Sequence, residues 1–175
     1  MRRIINSTYI TLDGAVQDPH LWPSLGKEGS DKHFEIQNEL LQSCDAVLMG
    51  RRTYDGFAAV WPTRSGDSLS DRISSMQKYV VSSTLRSPAW NNTMVIGRDL
   101  VAEVTALKRQ SGKDIVQYGL GPVSFTLIDN GLIDEVRLWV HPIILGRDGP
   151  KVPHFAGLHD FISSVPRRYQ MASPS

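Results

Sequence analysis

The sequence has little of what marks secreted, membrane-bound or zinc-binding chains. Cys44 is its single cysteine, which excludes an internal disulfide and a zinc knuckle. No apolar run approaches the roughly 20 residues that are needed to span a bilayer. The segment after Arg2 and Arg3 is interrupted by polar residues at 6–8, unlike the apolar region of a signal peptide. We therefore expect a cytoplasmic protein that does not enter the membrane.

The chain also lacks an excess of charge of either sign. Lys and Arg number 19 and Asp and Glu number 18, so the formal net charge is +1. A near-neutral chain without a basic run argues against nucleic acid as the main partner. The five histidines are scattered without an H-x-x-x-H pair, so no metal site is predicted. With 175 residues, 41% of them hydrophobic, the chain is long enough to bury the core of about one domain.

Apolar segments alternate with amphipathic segments along the chain. The apolar segments predict strands at 4–12, 46–49, 78–82, 93–96, 114–118 and 135–141. The amphipathic segments predict helices at 31–44, 52–60, 70–75, 99–110 and 123–130, with Asp31 as the first cap. Residues 14–30 predict a long loop. This alternation indicates an α/β protein with a mostly parallel sheet, in which ligands bind at the carboxyl ends of the strands.

Two glycine-containing turns follow predicted strands and precede predicted helices. In the first glycine turn, residues 50–53, Gly50 allows a close backbone approach, and the helix N-terminus with Arg51 and Arg52 suits a phosphate. The alternative is a solvated turn that Thr53 caps. The second glycine turn, residues 119–122, could cradle a pyrophosphate or could serve tight helix–strand packing. Spacing alone leaves both alternatives open.

A third strand ends in hydroxyl groups. In this hydroxyl turn, residues 81–84, Ser82, Ser83 and Thr84 could bond a ribose or its phosphate, or could satisfy the backbone of the turn. Taken alone, the second alternative is favoured. Because parallel strands end at one edge of a sheet, the joint occurrence of the three turns favours a ligand site there.

Asp13 and several aromatic residues are further candidates for binding a substrate. Asp13-Gly14 is foremost a turn signal, and the alternative is a carboxylate that anchors a substrate or donates a proton if apolar walls raise its pKa. Four aromatic residues could stack on a planar heterocycle or could belong to the core: Trp22, Tyr54, Phe57 and Trp61. Cys44 is expected to be a buried, inert thiol on the apolar face of the first helix.

Six motifs, in this order, resemble one family. They are TLDG at 11–14, LMGRRTYDGF at 48–57, WP at 61–62, KYVVS at 78–82, WNNT at 90–93 and HPIILG at 141–146. They are similar to the dihydrofolate-reductase-like family that includes the reductase domain of bacterial bifunctional riboflavin-biosynthesis enzymes. The small stand-alone members match best. The resemblance covers about residues 2–147.

The resemblance implies a three-layer α/β/α fold around a mixed, mostly parallel eight-stranded sheet, in a homodimer that binds NADPH. By matching positions it places the cofactor phosphates at 50–53, the adenosine side at 81–84, the pyrophosphate at 119–122 and Asp13 in the substrate pocket. The residues assigned to the cofactor are Gly50, Arg51, Arg52, Thr53, Val81, Ser82, Ser83, Thr84, Gly119, Leu120, Gly121 and Pro122. The bulky Leu120 stands where relatives often carry a small residue.

The C-terminal segment departs from the family, whose members close the sheet with a hairpin of two apolar strands. Prolines at 150, 153, 166 and 174 interrupt this segment. Because proline removes a ladder donor, they predict an irregular tail or one edge strand. We therefore expect a reductase domain over residues 1–147 and a divergent tail over residues 148–175.

The leading hypothesis is an NADPH-dependent reductase of a small heterocycle. By analogy its substrate is a riboflavin-pathway pyrimidine or a pterin, so its activity would be 5-amino-6-(5-phosphoribosylamino)uracil reductase-like or dihydrofolate reductase-like. The alternative is an NADPH- or nucleotide-binding module without turnover. The strand at 135–141 also predicts an outward Trp139, which would be costly to leave in water and could anchor the homodimer.

Overall fold

The computed structural model describes residues 1–22 and 26–146, which form six strands and five α-helices. The strands are β1 Ile4–Thr11, β2 Cys44–Gly50, β3 Gln77–Val81, β4 Thr93–Ile96, β5 Asp114–Tyr118 and β6 Glu135–His141. The helices are α1 Gly26–Ser43, α2 Arg51–Val60, α3 Ser68–Ser75, α4 Leu100–Arg109 and α5 Pro122–Asp129. Single 3₁₀ turns lie at Pro19–Leu21 and Trp61–Thr63.

The strands form one sheet in the order β4-β3-β2-β5-β1-β6, and every pairing is parallel. All carboxyl ends therefore lie at the same edge, as the alternation of strands and helices predicted. The resemblance implied a mixed sheet of eight strands, whereas the described residues contain six parallel ones. The closing hairpin and the tail at 148–175 lie outside the described residues, and the boundary at 147 stays a prediction.

Helices cover both faces of the sheet, which confirms the three-layer architecture. On one face α4 and α5 pack against the sheet, with Val104 and Leu127 in one core cluster with Ile4 and Ile115. On the other face α1, α2 and α3 contribute Leu40, Tyr54 and Ile73 to a second core cluster. Because β2 is buried on both faces, its sequence is almost continuously apolar, and this pattern allowed it to be predicted.

Helix α1 begins at Gly26, five residues before the cap that was predicted at Asp31. The prediction was wrong because glycine at 26 and 29 is a poor helix former, and tertiary context overrides such propensities. Cys44 begins β2 and does not lie on the helix. It is buried, as expected, and burial raises the pKa of its thiol. Helix α3 begins at Ser68 because the side chain of Asp67 accepts hydrogen bonds from its first turn.

Trp139 does not point outward. Its indole nitrogen donates to the Ser7 hydroxyl at 2.9 Å, and its ring stacks on His33 with the centroids 5.0 Å apart. The predicted outward orientation of Trp139 is therefore wrong, because α1 covers the face of the sheet that carries it. Val140, on the opposite face of β6, is 54% exposed. The homodimer stays a prediction, without Trp139 as its support.

No helix within the described ranges is both long enough and apolar enough to cross a bilayer.

Candidate functional site

The three turns predicted to bind a ligand follow three neighbouring strands. Strand β2 lies between β3 and β5, with Gly50 opposite Val81 and Met49 opposite Tyr118. The first glycine turn (50–53), the hydroxyl turn (81–84) and the second glycine turn (119–122) therefore lie side by side at the carboxyl edge. Their proximity was predicted from the strand pattern, and the sheet order makes them direct neighbours.

The two glycine turns contact each other closely. Gly119 has a φ of +88°, and a Cβ atom there would lie 2.7 Å from Oγ1 of Thr53. A Cβ atom at Gly50 would lie 3.4 Å from Val123 in α5. The N-termini of α2 and α5 can therefore approach this closely because both turns carry glycine at the contact.

Neither of these helix N-termini carries a side-chain cap. The N-cap residues are Gly50 for α2 and Gly121 for α5, and neither offers a side-chain acceptor. By contrast, the side chain of Asp67 caps α3 and the side chain of Asp99 caps α4. The free N–H groups of a helix N-terminus and its partial positive charge attract anions. The paired turns thus present two such N-termini to the same edge.

The second glycine turn is held by a buried polar network. The carbonyl oxygen of Gly119 accepts hydrogen bonds from Nδ2 of Asn6 at 2.9 Å, Nε2 of Gln117 at 2.9 Å and Oγ of Ser124 at 2.7 Å. All three side chains are almost fully buried. Sequence analysis missed them, although a polar side chain inside an otherwise apolar strand is a usable signal, as Asn6 and Gln117 illustrate. The network fixes the conformation of the turn.

The hydroxyl turn uses its buried hydroxyl internally. Oγ of Ser82 accepts hydrogen bonds from the backbone N–H groups of Thr84 and Leu85, at 3.2 and 3.0 Å. This geometry matches the alternative in which the hydroxyl satisfies the turn. The side chain of Ser83 is exposed at the same edge.

Both arginines of the first glycine turn form exposed ion pairs. Arg51 pairs with Asp55 one helical turn later, and Arg52 pairs with Asp18 in the loop after β1 at 3.2 Å. Exposed pairs of this kind contribute about 0 to 1 kcal/mol, so either guanidinium is available to another anion at small cost.

Asp13 is held in a turn with its carboxylate ionised. The carboxylate accepts hydrogen bonds from Oγ1 of Thr11 at 2.6 Å and from the backbone N–H groups of Leu145 and Gly146 at 3.3 and 2.9 Å. The Thr11 hydroxyl, helped by these N–H groups, lowers the pKa of Asp13 to about 2. A proton-donating role required a raised pKa, so this condition is not met. The geometry favours the turn interpretation and a link between two loops.

Asp13→Asn is accordingly expected to loosen the loop at 145–146 while leaving nucleotide affinity within about twofold. An amide presents one carbonyl oxygen where the carboxylate presents two, so one of the bonds from Leu145 and Gly146 is lost. Hydrogen exchange should show faster exchange of the Leu145 or the Gly146 amide, and titration should give the affinity. Unchanged exchange at both amides would contradict the link.

The four candidate aromatic residues do not form one wall. Tyr54 is a core residue whose hydroxyl accepts a hydrogen bond from the backbone N–H of Trp90 at 3.1 Å. Phe57 packs on Trp61, with a ring separation of 6.0 Å, and both are half-buried. Trp22 belongs to a separate cluster beside the first loop. Only Phe57 and Trp61 remain together as half-buried rings.

A second group of rings lies where β1 and β6 approach the carboxyl edge. This ring cluster consists of Tyr9, Trp22, His33, Trp139 and His141. The Tyr9 hydroxyl bonds to a ring nitrogen of His33, and the rings of Tyr9 and His141 meet edge to face at 5.2 Å. Burial lowers the pKa of both histidines. Sequence analysis missed the cluster because its members come from β1, α1, β6 and a loop.

Within the described residues, no three His, Cys, Asp or Glu side chains form a group that could hold a metal ion.

The fold and the paired glycine turns define an α/β protein in which two helix N-termini without side-chain caps lie together at the carboxyl edge of a parallel sheet. The chain belongs to the RibD C-terminal domain family, whose profile it matches over residues 2–161. This membership supports a reductase-like role.

Two known proteins illustrate the similarity. The chain is 32% identical over 161 residues to the uncharacterized protein YyaP of Bacillus subtilis (strain 168), covering 85% of this chain and 79% of that one. It is also similar in fold to the solved RibD of Acinetobacter baumannii, with a TM-score of 0.55 and 18% identity over 89% of this chain. This chain spans half the length of that RibD chain, at 50%.

Proposed function

We propose that this protein is an NADPH-dependent reductase of a small heterocyclic substrate. The observation that carries the proposal is the contact between the two glycine turns, which places two helix N-termini without side-chain caps at one edge of the sheet. Anionic groups are favoured at such N-termini. Membership of the RibD C-terminal domain family supports the same function.

The residues of this edge fit a dinucleotide. The two glycine turns can lie this close together because residue 119 is glycine: a Cβ atom there would be 2.7 Å from the Thr53 hydroxyl. The first and second glycine turns would hold the phosphates with backbone N–H groups, and the hydroxyl turn would face the adenosine side with Ser83. The bound cofactor would supply the hydride, while the protein orients the substrate and excludes water.

The substrate side is proposed to accept a planar ring. A pyrimidine of the riboflavin pathway or a pterin is the natural class, by analogy with the family. Phe57 on α2 and Trp61 at its C-terminus are half-buried, and the ring cluster lies on the same face of the sheet. Aromatic side chains favour planar heterocycles through offset stacking and edge contacts. Asp13 can only orient such a substrate, because its carboxylate is ionised.

A nucleotide-binding module without turnover is the second candidate. It is favoured by the state of Asp13, whose hydrogen bonds to Thr11, Leu145 and Gly146 and whose pKa near 2 leave it without a proton to donate. In this case the glycine turns would bind the dinucleotide while no substrate is reduced.

NADPH is expected to bind about tenfold to a hundredfold more tightly than NADH, through Arg51 or Arg52 together with Ser83, because the hydroxyl of Ser82 is already used within its turn. The 2′-phosphate that distinguishes NADPH meets a guanidinium with two parallel charge-assisted bonds, each contributing about 1.5 to 3 kcal/mol before solvent exposure reduces it. Releasing either arginine from its exposed carboxylate partner costs little. Titration against tryptophan fluorescence measures both affinities.

The matched substitutions are Arg51→Ala, Arg52→Ala and, as a control, Arg64→Ala. Arg64 is an exposed arginine that lies over the Trp61 ring beyond the C-terminus of α2. One of the first two variants should lower the NADPH affinity to that of NADH, whereas Arg64→Ala should not. Equal affinities in the parent protein, or a preference that survives both substitutions, would refute the assignment.

Turnover separates the two candidate functions. Steady NADPH consumption at 340 nm should be followed with a panel of pterins and pyrimidines. Consumption that depends on one of these substrates supports the reductase. Dinucleotide binding with no consumption across the panel would favour the module without turnover, and the absence of dinucleotide binding would refute both.

A further inference from the structure

We propose that Asn6, Gln117 and Ser124, together the polar network, are positioning residues for a diphosphate group: they hold the second glycine turn so that its backbone N–H groups face the ligand. All three side chains are at most 1% exposed, so they act through the turn and do not touch the ligand themselves. The inference rests on the proposed function for the identity of the dinucleotide, but its main test uses inorganic pyrophosphate alone.

The polar network gives the carbonyl oxygen of Gly119 more donors than it needs. Nδ2 of Asn6 and Nε2 of Gln117 each lie 2.9 Å from this oxygen, and Oγ of Ser124 lies 2.7 Å from it. A carbonyl oxygen has two lone pairs, so one or two donors would already satisfy it. Because the three donors come from β1, β5 and α5, they fix the direction of the carbonyl group, which points into the interior between these elements.

Further hydrogen bonds fix the orientation of the two amide side chains. Oδ1 of Asn6 accepts from the Thr8 hydroxyl at 3.1 Å, which leaves Nδ2 to face Gly119. Nε2 of Gln117 also donates to the backbone carbonyl of Tyr118 at 2.8 Å, and its Oε1 accepts from Nδ2 of Asn6. Both amides therefore use their donors and acceptors, and a buried network that is satisfied in this way holds one arrangement.

The direction of the Gly119 carbonyl determines where the next N–H group points. The peptide bond between Gly119 and Leu120 is trans, and in a planar trans peptide the C=O and N–H bonds point in opposite directions. The N–H group of Leu120 therefore points away from the polar network. The Leu120 side chain belongs to the core cluster under α4 and α5, so the bulk that distinguishes it from relatives is buried.

The N–H groups of the turn have no hydrogen-bond partner in the part of the chain that the structure describes. None of residues 119, 120 and 121 donates a backbone hydrogen bond there, and residue 122 is proline, which has no N–H group. Successive free N–H groups in a turn form sites for anions. The uncapped N-terminus of α5 follows directly and adds its partial positive charge, so the oxygens of a phosphate group match these donors.

The polar network orders these donors before a ligand arrives. A turn that is already held loses less conformational freedom on binding than a turn that has to be ordered by its ligand. Without the network, the peptide between residues 119 and 120 could rotate, and its N–H group would no longer keep one direction. Substitutions in the network should therefore weaken the binding of a diphosphate group.

The test is a calorimetric titration of the full-length protein with inorganic pyrophosphate. Ser124→Ala removes one of the three donors to Gly119, and Gln117→Met removes the bonds to both Gly119 and Tyr118. We expect Ser124→Ala to weaken pyrophosphate binding by at least about threefold, and Gln117→Met by at least about tenfold.

Thr126→Ala is the matched control. It removes a hydroxyl group from the same helix, one that also donates to a backbone carbonyl, that of Pro122 at 2.9 Å. This bond lies within α5 and does not hold Gly119, so the pyrophosphate affinity should stay within about twofold. Thermal unfolding verifies that each variant is folded at the temperature of the titration, and Ser124→Ala keeps the test decisive if Gln117→Met does not fold.

Amide NMR spectra distinguish positioning of the turn from support of the fold. In the parent protein, pyrophosphate should shift the amide resonances of Leu120 and Gly121, and this shift at saturation should be smaller in Ser124→Ala and Gln117→Met. A network that only stabilises the fold would lower the unfolding temperature of both variants, while their pyrophosphate affinity stays within about twofold of the parent value and the Leu120 shift is unchanged. That result would overturn the inference.

The remaining outcomes separate this inference from the proposed function. Pyrophosphate that does not bind at millimolar concentration, or that shifts only resonances of the first glycine turn, overturns the inference. NADPH that binds the parent protein and both variants equally also overturns it, but leaves the proposed function standing. Pyrophosphate binding that depends on the polar network, without any NADPH binding, supports the inference and refutes the proposed function.

Discussion

Replacing Gly119 with alanine is expected to lower NADPH affinity by at least about tenfold and the free energy of unfolding by about 2 to 4 kcal/mol. Two independent effects combine at this position. Gly119 has a φ of +88°, which costs a residue with a Cβ atom roughly 1 to 2 kcal/mol. The added methyl group would also lie 2.7 Å from Oγ1 of Thr53, closer than van der Waals contact allows.

The turn cannot move away to relieve this contact. The carbonyl oxygen of Gly119 is held by the side chains of Asn6, Gln117 and Ser124, all buried, and a shift would break those bonds. Either the Thr53 side chain must rotate or the helix that carries it must move. Movement of the N-terminus of α2 away from α5 would lower both the affinity for an anion and the stability of the fold.

Gly121→Ala is the matched control, since it adds the same methyl group two residues away. Its φ is −172°, an extended conformation that any residue adopts, and no atom lies within 4 Å of the added Cβ position. Chemical denaturation of both variants should show a loss for Gly119→Ala and a change within about 0.5 kcal/mol for Gly121→Ala.

A double variant separates the two effects at Gly119. In Gly119→Ala/Thr53→Ala the hydroxyl that would clash is gone, so about half of the lost stability should return, and the remainder is the cost of the positive φ. No recovery would show that the contact with Thr53 is not the cause. If Gly119→Ala instead unfolds like the parent protein, the paired-turn geometry is refuted.

The position of the candidate site could be predicted because it depends on which turns directly follow strands along the chain. Buried parallel strands are rich in apolar residues, so β2, β3 and β5 could be predicted, and the turns after parallel strands share one edge of the sheet. The glycine at 50 and the glycines at 119 and 121 marked those turns without reference to any distant residue.

What holds the turns in place was not predictable, because the partners are far apart in sequence. Asn6 meets the 117–119 segment across 111 to 113 positions, and Asp13 meets Leu145 and Gly146 across 132 and 133. No periodicity encodes such pairings. A polar residue inside an apolar strand indicates that a partner exists but does not identify it.

The direction of Trp139 shows a second limit. Alternation along β6 separates Trp139 and Arg137 from Val136 and Leu138, but it does not tell which face is covered when both faces carry large side chains. The apolar residues of β6 suggested that only their own face of the strand is covered. In the structure both faces are covered, because α1 packs over the face that Trp139 shares with Ser7 and Tyr9.

The second large effect concerns Lys78, which is fully buried near the amino edge of the sheet, opposite the candidate site. Its ammonium donates to the backbone carbonyls of Ser74 and Met76, at 2.8 Å each, and lies 4.4 Å from the centroid of the Trp90 ring. No carboxylate pairs with it in the part of the chain that the structure describes. Burial therefore lowers the pKa of Lys78 to about 8, from an ordinary value of 10.5.

This depressed pKa predicts a stability that rises with pH relative to a variant without the lysine. Between pH 8 and about 10.5 the unfolded chain binds a proton at Lys78 that the folded chain has released, so raising the pH favours the folded state. From pH 7 to pH 10 the parent protein should gain about 2 kcal/mol in free energy of unfolding relative to Lys78→Met. The comparison is necessary because tyrosines with raised pKa values, Tyr9 and Tyr118, destabilise the fold as they titrate at higher pH.

Lys113→Met is the control for this measurement. Lys113 is an exposed lysine whose ammonium also donates to a backbone carbonyl, that of Gln42, at 3.0 Å. Urea denaturation at pH 7, 8, 9 and 10 should give a difference between the parent protein and Lys113→Met that does not vary with pH. The free energy of unfolding of the parent protein minus that of Lys78→Met should instead increase with pH, because the folded parent no longer buries a charged ammonium once Lys78 is neutral. A pH-independent difference for both variants would mean that Lys78 keeps its proton up to pH 10, stabilised by the two carbonyls and the Trp90 ring.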